Sequence, residues 1–316
     1  MRLGHWRSPD TGIHFVQMAK VWPSLLVGWF MGMPMTGCNV DQRSLGSISA
    51  FDGGGSAEIW IPFGAVALHP ALANASASQE DPTLTADELE LYYATAVDGT
   101  LDIWLCQRAS ITSAWGSPAK VVELSSDSLD EQPEVSADGL TMYLASNRPG
   151  PAPGEHLWVS QRAARTDPWS SPVPVTDFAM GDADMSPSLQ FEELMMTFSS
   201  QRGSSDWQLY VTTRPSTTDP WGAPKPLSEL NSSASDWASG LYLDGTSIVF
   251  SSNRVGGVYS LLYATRATVT EPFSVPQPAT ELNSNDENDP WVSNDGHHIV
   301  FDSQRSGSAK IYEAWR

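Results

Sequence analysis

A repeat of just over fifty residues constrains this chain more than any other feature. Pro82, Pro133, Pro187, Ser239 and Pro290 open comparable segments and follow one another at intervals of 51, 54, 52 and 51 residues. A period of this length signals the blades of a propeller or another repeat array, not a mixed α/β domain. The copy from Asp130 to Phe178 is the most regular. It carries short apolar-alternating segments at Glu134–Ser136, Leu140–Ala145, His156–Gln161 and Pro172–Thr176, each bounded by Gly, Pro, Asn, Asp or Ser. That is the pattern of strands. Ala137-Asp138-Gly139 joins the first two, and Asp-Gly between alternating runs marks a hairpin. One copy is therefore a four-stranded antiparallel unit.

The other copies vary this unit. Each anchor leads to a turn five residues on, at Asp87-Glu88, Asp138-Gly139, Glu192-Glu193, Asp244-Gly245 and Asp295-Gly296. Second strands run on to Arg148, Arg202, Arg254 and Arg305, and third strands end at Arg108, Arg162, Arg214, Arg266 and Arg316. Fourth segments carry an aromatic-x-x-Pro pattern, Trp115/Pro118, Trp169/Pro172, Trp221/Pro224 and Phe273/Pro276. Proline suits an outer edge strand, since it cannot donate to a ladder. No such segment follows the third strand of the fifth copy, but Pro62–Leu72 (PFGAVALHPAL) aligns with Pro272–Leu282 (PFSVPQPATEL). No helical apolar period of useful length occurs. The chain is expected to be all-β, a propeller of five four-stranded blades, with the N-terminal segment lending the outer strand of the last blade. Six blades would require one within residues 39–61, which lack a strand pattern. A linear solenoid would need polar capping repeats.

The front of the chain reads as a targeting segment. Lys20 precedes the apolar run VWPSLLVGWFMGMPMTGC, which is short for a membrane span and broken by Pro23 and Pro34. Its end, Met35-Thr36-Gly37-Cys38, resembles the lipobox of bacterial lipoproteins, which implies cleavage before Cys38 and lipidation of that residue. The expected organisation is a lipoprotein-type signal peptide at 1–37, with Met18 as an alternative start, a flexible Gly/Ser-rich tether at 38–57, and the propeller at 58–316. The expected location is the bacterial cell envelope, at the outer membrane, periplasm or cell surface, with the lipid as the only membrane contact. Cys38 and Cys106 are the two cysteines, so no disulfide framework is available. With 37 Asp+Glu against 17 Lys+Arg, the balance argues against nucleic acid as a partner and against docking on anionic headgroups. A monomer is expected.

Asp130, Pro133, Ser136, Asp138, Gly139 and Arg148, and next the stretch 287–305, fit the pattern acid-x-x-Pro-x-hydrophobic-Ser-x-Asp-Gly followed by Tyr/Phe-x-Ser-x-Arg. Over residues 80–316 this resembles the WD-like Pro-Asp repeat of the TolB family. The resemblance implies a propeller, in a family ranging from periplasmic interaction proteins to propellers fused to peptidase or peptidoglycan-binding domains. The chain departs from the pattern at Val97-Asp98 in blade one, Glu192-Glu193 in blade three and Ser239 in blade four.

Three residues before the anchors stand Gln79 (beside Glu80), Asp130, Asp184, Asp236 and Glu287. In an up-and-down blade these share a rim with Arg148, Arg202, Arg254 and Arg305. Ion pairing within the scaffold is one reading. A ring that binds a polar ligand or a cation such as Ca²⁺, which prefers oxygen ligands, is the other. Recurrence in every blade favours packing. Function is expected where the repeat breaks on this face: the loop Pro149–Gly154, Asp206 and Trp207, Ser235 to Trp237, and Asn288, Asp289 and Trp291. Exposed Trp among polar groups suits sugar rings or a partner protein, whereas Trp that cover the top of the core would be structural.

His69, His156, His297 and His298 have no metal-ligand spacing, and no nucleophile elbow, His-Glu-x-x-His, phosphate-binding loop or Cys-x-x-Cys occurs. The expected function is a non-catalytic module that binds or scaffolds an envelope protein or glycan. It would have no cofactor beyond a candidate structural Ca²⁺ at the channel mouth. The alternative is a carbohydrate-active enzyme, since five-bladed propellers include glycosidases with three carboxylates at the channel. Asp130, Asp184 and Glu287 would then supply an acid, a base and a helper.

Overall fold

The second strand of a repeat cannot lie on a solvated surface. Every residue of Glu90–Thr95, Thr141–Ser146, Ser247–Ser252 and His298–Ser303 is buried. A sheet buried on both faces needs a covering layer on each side, and a ring of blades supplies both from copies of itself. The computed structural model describes residues 60–316 apart from 74–75, 151–152, 179–182 and 191. The signal segment, Cys38 and the tether lie outside the described residues, as does the middle of the Pro149–Gly154 loop.

Five four-stranded antiparallel sheets form the propeller, and there is no helix among the described residues. Blade one comprises Glu80–Leu84, Glu90–Thr95, Asp102–Gln107 and Ala119–Lys120. Blade two comprises Asp130–Val135, Thr141–Ser146, His156–Gln161 and Val173–Pro174. Blade three has Asp184–Gln190, Met195–Ser200, Gln208–Thr213 and Lys225–Pro226. Blade four has Asp236–Tyr242, Ser247–Ser252, Ser260–Thr265 and Gln277–Pro278. Blade five takes Glu287–Val292, His298–Ser303 and Lys310–Trp315 from the end of the chain and Ala67–Leu68 from its front. Ala67 pairs with Glu313 and Leu68 with Tyr312, so the borrowed strand closes the last blade as the alignment of Pro62–Leu72 predicts.

Two details differ from the sequence reading. The outer strands are two residues long and follow the aromatic-x-x-Pro motif instead of containing it. The first strands begin at the acid, not at the anchor, and carry a bulge just before the anchor. In blade two, pairing shifts between Glu131 and Glu134, and Gln132 sits at φ 51°. Asp81, Ser186, Ala238 and Asp289 occupy the same left-handed position in their blades. A bulge adds one residue to the strand and re-aims its side chain, so simple alternation misplaces this residue.

The core lies between blades. Tyr92 and Ile103 of blade one pack with Met142, Leu144 and Trp158 of blade two, and Tyr242 and Val249 of blade four with Ile299 and Phe301 of blade five. Cys106 is a free, buried thiol whose pKa burial pushes up to about 12, so it sits in the core as a hydrophobe.

Each outer strand is held by the arginine that ends the third strand. Its Nε donates to a carbonyl of the first hairpin turn, Arg162 to Gly139 at 2.7 Å and Arg214 to Glu193 at 2.7 Å. The guanidinium lies over the fourth-segment aromatic seven residues on: Arg108 over Trp115 at 4.4 Å, Arg162 over Trp169 at 4.3 Å, Arg214 over Trp221 at 4.2 Å and Arg266 over Phe273 at 4.2 Å. In blade five the partner comes from the other end of the chain, with Arg316 over Phe63 at 4.6 Å and donating to Ile61 O at 2.6 Å. At the same seam His298 stacks on Trp315, lying 3.2 Å from Glu88 of blade one and 3.3 Å from Glu313. Phe63 is buried in the blade-five cluster. Phe63→Ala is therefore expected to lower unfolding free energy by about 3 kcal/mol, whereas Val275→Ala, at a side chain 76% exposed, leaves it unchanged. Urea unfolding of both variants measures the difference, and an unmoved Phe63→Ala midpoint would refute closure by this segment.

Candidate functional site

The acids three residues before the anchors come together with the arginines expected beside them, blade by blade. Arg148 bonds Asp130, and Asp130 also accepts from Ser146 Oγ at 2.6 Å and from the Ser126 amide at 2.6 Å. Nη2 of Arg202 reaches both oxygens of Asp184 at 2.6 Å. Arg254 holds Asp236, and Arg305 holds Glu287 at 3.2 Å. Three of these guanidinium groups also donate to a carbonyl at the end of the outer segment, Leu124 at 2.6 Å, Leu230 at 2.5 Å and Leu282 at 2.6 Å. Blade one lacks the arginine and instead pairs Lys120 with Asp102 at 2.6 Å. The four acids are buried and bonded to the arginine that follows their own second strand, and in blades two, four and five that arginine also ties the blade to the end of the preceding blade's outer segment. Asp130, Asp184 and Glu287 therefore do not face one another as a free carboxylate trio.

The bulges build a different constellation. They carry the residue before each anchor, Asp81, Gln132, Ser186, Ala238 and Asp289, to the wall of an axial cavity of about 40 Å³, also lined by Trp291. Neighbouring blades are stitched there. The Gln132 amide donates to Asp81 Oδ2 at 3.1 Å, the Ser186 amide to Gln132 Oε1 at 2.8 Å and the Ala238 amide to Ser199 Oγ at 2.9 Å. Glu134 accepts from Thr83 of blade one at 3.0 Å and from the Leu189 amide of blade three at 2.7 Å, and burial brings its pKa to about 7 against those bonds.

At the seam between blades one and five the axial ring turns acidic. One oxygen from each of Asp81, Asp289 and Asp302 lies within 4.8 Å of the others. Burial, and then the charges of the neighbouring carboxylates, hold all three well above the usual carboxylate range. Glu80 and Glu131, one residue before the bulge in blades one and two, are half-buried. Burial raises Glu80, and burial followed by the Glu155 charge brings Glu131 to about 7. Among the described residues, the charges that act most strongly on the three aspartates are those of other acids. Burial thus favours the protonated form of every acid in this group.

Of the tryptophans singled out from the sequence, Trp207 and Trp237 meet edge to face at 4.7 Å between blades three and four, both half-buried. Trp291 reaches the cavity wall and packs edge-on to His298 at 6.0 Å. At the start of the Pro149–Gly154 loop, Gly150 lies against its own blade: a side chain there would meet the Trp158 ring at 2.9 Å. Sequence reasoning named Asp289 but missed Asp81 and Asp302. The signal was present for Asp302, which stands where the other four second strands have Ala94, Ala145, Ser199 and Ser251.

No family model matches the chain, and no curated protein matches it. Among solved structures it is similar to an endo-arabinase from Bacteroides thetaiotaomicron, at 18% identity and TM-score 0.58, covering 81% of this chain and 98% of that one. It is also similar to the catalytic domain of a GH62 α-L-arabinofuranosidase from Coprinopsis cinerea, at 12% identity and TM-score 0.55 over 81% and 98%. TolB from Acinetobacter baumannii is similar at 16% identity and TM-score 0.50 over 76% of this chain and 55% of that one. At these identities the likeness concerns the fold, which sugar hydrolases and TolB-like propellers share with this chain.

The latch role of the acid–arginine pairs has a direct consequence. Arg148→Ala leaves Asp130, with no exposed surface, without its cation, and removal of one partner of a buried pair costs about 3–5 kcal/mol. Calorimetry of Arg148→Ala should show a fall in the unfolding midpoint of the whole ring. A variant as stable as the parent would mean that the pair is not a structural latch.

Proposed function

We propose that this chain is a carbohydrate-directed propeller whose working end is the acidic mouth of its axial channel. The observation that carries the reading is the set of acids without cationic partners at that mouth, on a fold shared with arabinan- and arabinofuranoside-cleaving enzymes. The half-buried Trp207 and Trp237 on the same face add aromatic surface of the kind on which sugar rings stack.

Two modes of action have separate support. Hydrolysis needs a protonated and an ionised carboxyl at one site. Glu131, at about 7, has the proton-donor property, with Glu80 beside it as the carboxylate partner, and the hydrolase neighbours favour this mode. Binding without turnover is supported by the size of the cavity, about 40 Å³ against the ~300–1,000 Å³ of pockets that enclose small molecules. Blades three and four bring Ser186 and Ala238 to the ring where blades one and five bring aspartates. On this geometry a glycan is held at the mouth, not enclosed.

Arabinan, xylan and β-1,3-galactan oligosaccharides, assayed for affinity-gel retardation and for release of reducing ends, test both modes. Retardation that Trp237→Ala abolishes, with no new reducing ends, is the outcome expected of a binding module. New reducing ends that vanish in Glu131→Gln establish hydrolysis. Neither retardation nor cleavage on any glycan removes the carbohydrate reading.

A companion proposal concerns the front of the chain. The lipobox-like Met35-Thr36-Gly37-Cys38 supports a lipid anchor at Cys38, placing the propeller in the bacterial envelope on the 38–57 tether. Mass spectrometry of the mature N-terminus from a bacterial host is expected to find a diacylglyceryl-modified Cys38. An unmodified residue other than Cys38 at that end would exclude the anchor.

A further inference from the structure

Three carboxylates brought together away from bulk water must be neutralised, either by protons or by a cation. At the seam the geometry suits a shared ion. Two oxygens that bind one Ca²⁺ at ~2.3–2.6 Å lie at most ~5 Å apart, and the oxygens of Asp81, Asp289 and Asp302 lie within 4.8 Å of one another. A second observation stands apart from the clustering. Asp302 is 3% exposed, and its Oδ1 has no hydrogen-bond partner, which is costly for a buried carboxylate oxygen unless something binds it. The cavity of about 40 Å³ that Asp81 and Asp289 line beside the cluster is too small for an organic ligand and large enough for an ion with one or two waters.

The blades explain why the site lies here. Asp302 replaces an Ala or Ser that every other blade keeps at its position. The two other ligands sit at the bulges of blades one and five, the first and last sheets of the ring. We propose that Asp81, Asp289 and Asp302 form a divalent-cation site of calcium type that staples blade one to blade five across the axial seam. The oxygen-only donor set suits a hard cation, and the irregular spacing of three carboxylates suits the flexible coordination of Ca²⁺ better than the strict octahedron of Mg²⁺. The bound ion would complete axially the closure that Phe63 and Arg316 make at the outer edge. This inference does not depend on the carbohydrate reading.

The test uses the full chain in detergent, stripped with EDTA and titrated with Ca²⁺, and in parallel with Tb³⁺, whose emission Trp291 at the cavity wall would sensitise. Saturable Tb³⁺ emission displaced by Ca²⁺, with a rise in the unfolding midpoint on Ca²⁺ addition, is expected. Asp302→Ser, which installs the residue found at Ser199 and Ser251, should weaken the apparent affinity for both ions at least ~10-fold, the lower end of what even outer-shell changes do. Asp289→Asn should do the same and guards against a folding defect in the first variant. No Ca²⁺-dependent shift or Tb³⁺ emission in the parent would overturn the proposal. So would binding that survives in both variants. A parent indifferent to Ca²⁺ but stabilised at neutral pH by Asp302→Ser would show that protons, not a cation, neutralise the cluster.

Discussion

The structure depends on one clamp, repeated five times: a third-strand arginine stacked on an aromatic side chain of the outer segment and bonded to the first hairpin turn. An outer strand of two residues cannot hold itself in place by ladder bonds. The clamp secures it by burying the aromatic, by a cation–π contact of about 0.5–2 kcal/mol, and by an Nε bond to a carbonyl such as Gly139 O. It thereby joins the turn, the third strand and the rim of each blade. In the fifth blade Arg316 makes the same contact with Phe63, so the two ends of the propeller are joined by the chemistry that builds every other blade.

The other end of each sheet follows a similar rule. An acid that opens the first strand and an arginine after the second strand neutralise one another inside blades two to five. The two repeated sets of arginines are thus occupied by scaffold contacts. Among the described residues, the three aspartates that converge lie where the copies differ, on the axis, at the seam where blade one meets blade five. The proposed cation staple and the proposed glycan-binding mouth both sit there because an asymmetric position is free of the demand that every blade makes.

The latches were legible in the sequence because they recur: Asp130 with Arg148, and its relatives at fixed spacing. The borrowed strand was legible because Phe63 aligns with Phe273. The axial acids were harder to read. Asp81 and Asp289 sit one residue before an anchor in a left-handed bulge, and alternation assigns such a residue to the wrong face. Asp302 is a single substitution in an otherwise ordinary buried strand, visible only once the five second strands are set side by side. Its meaning depends on one partner more than two hundred residues earlier in the chain, Asp81, and another on the preceding strand, Asp289.

By itself the sequence determined the class, the number of blades, the hairpin turns and the closing segment, because period, turn chemistry and strand alternation are local properties of the chain. It also determined which residues the repeat holds constant. Only the tertiary structure decided that the repeated acids are consumed by arginines and that three other aspartates converge. Convergence on the axis depends on how bulged strands from different blades approach one another, and no spacing along a single chain encodes that distance.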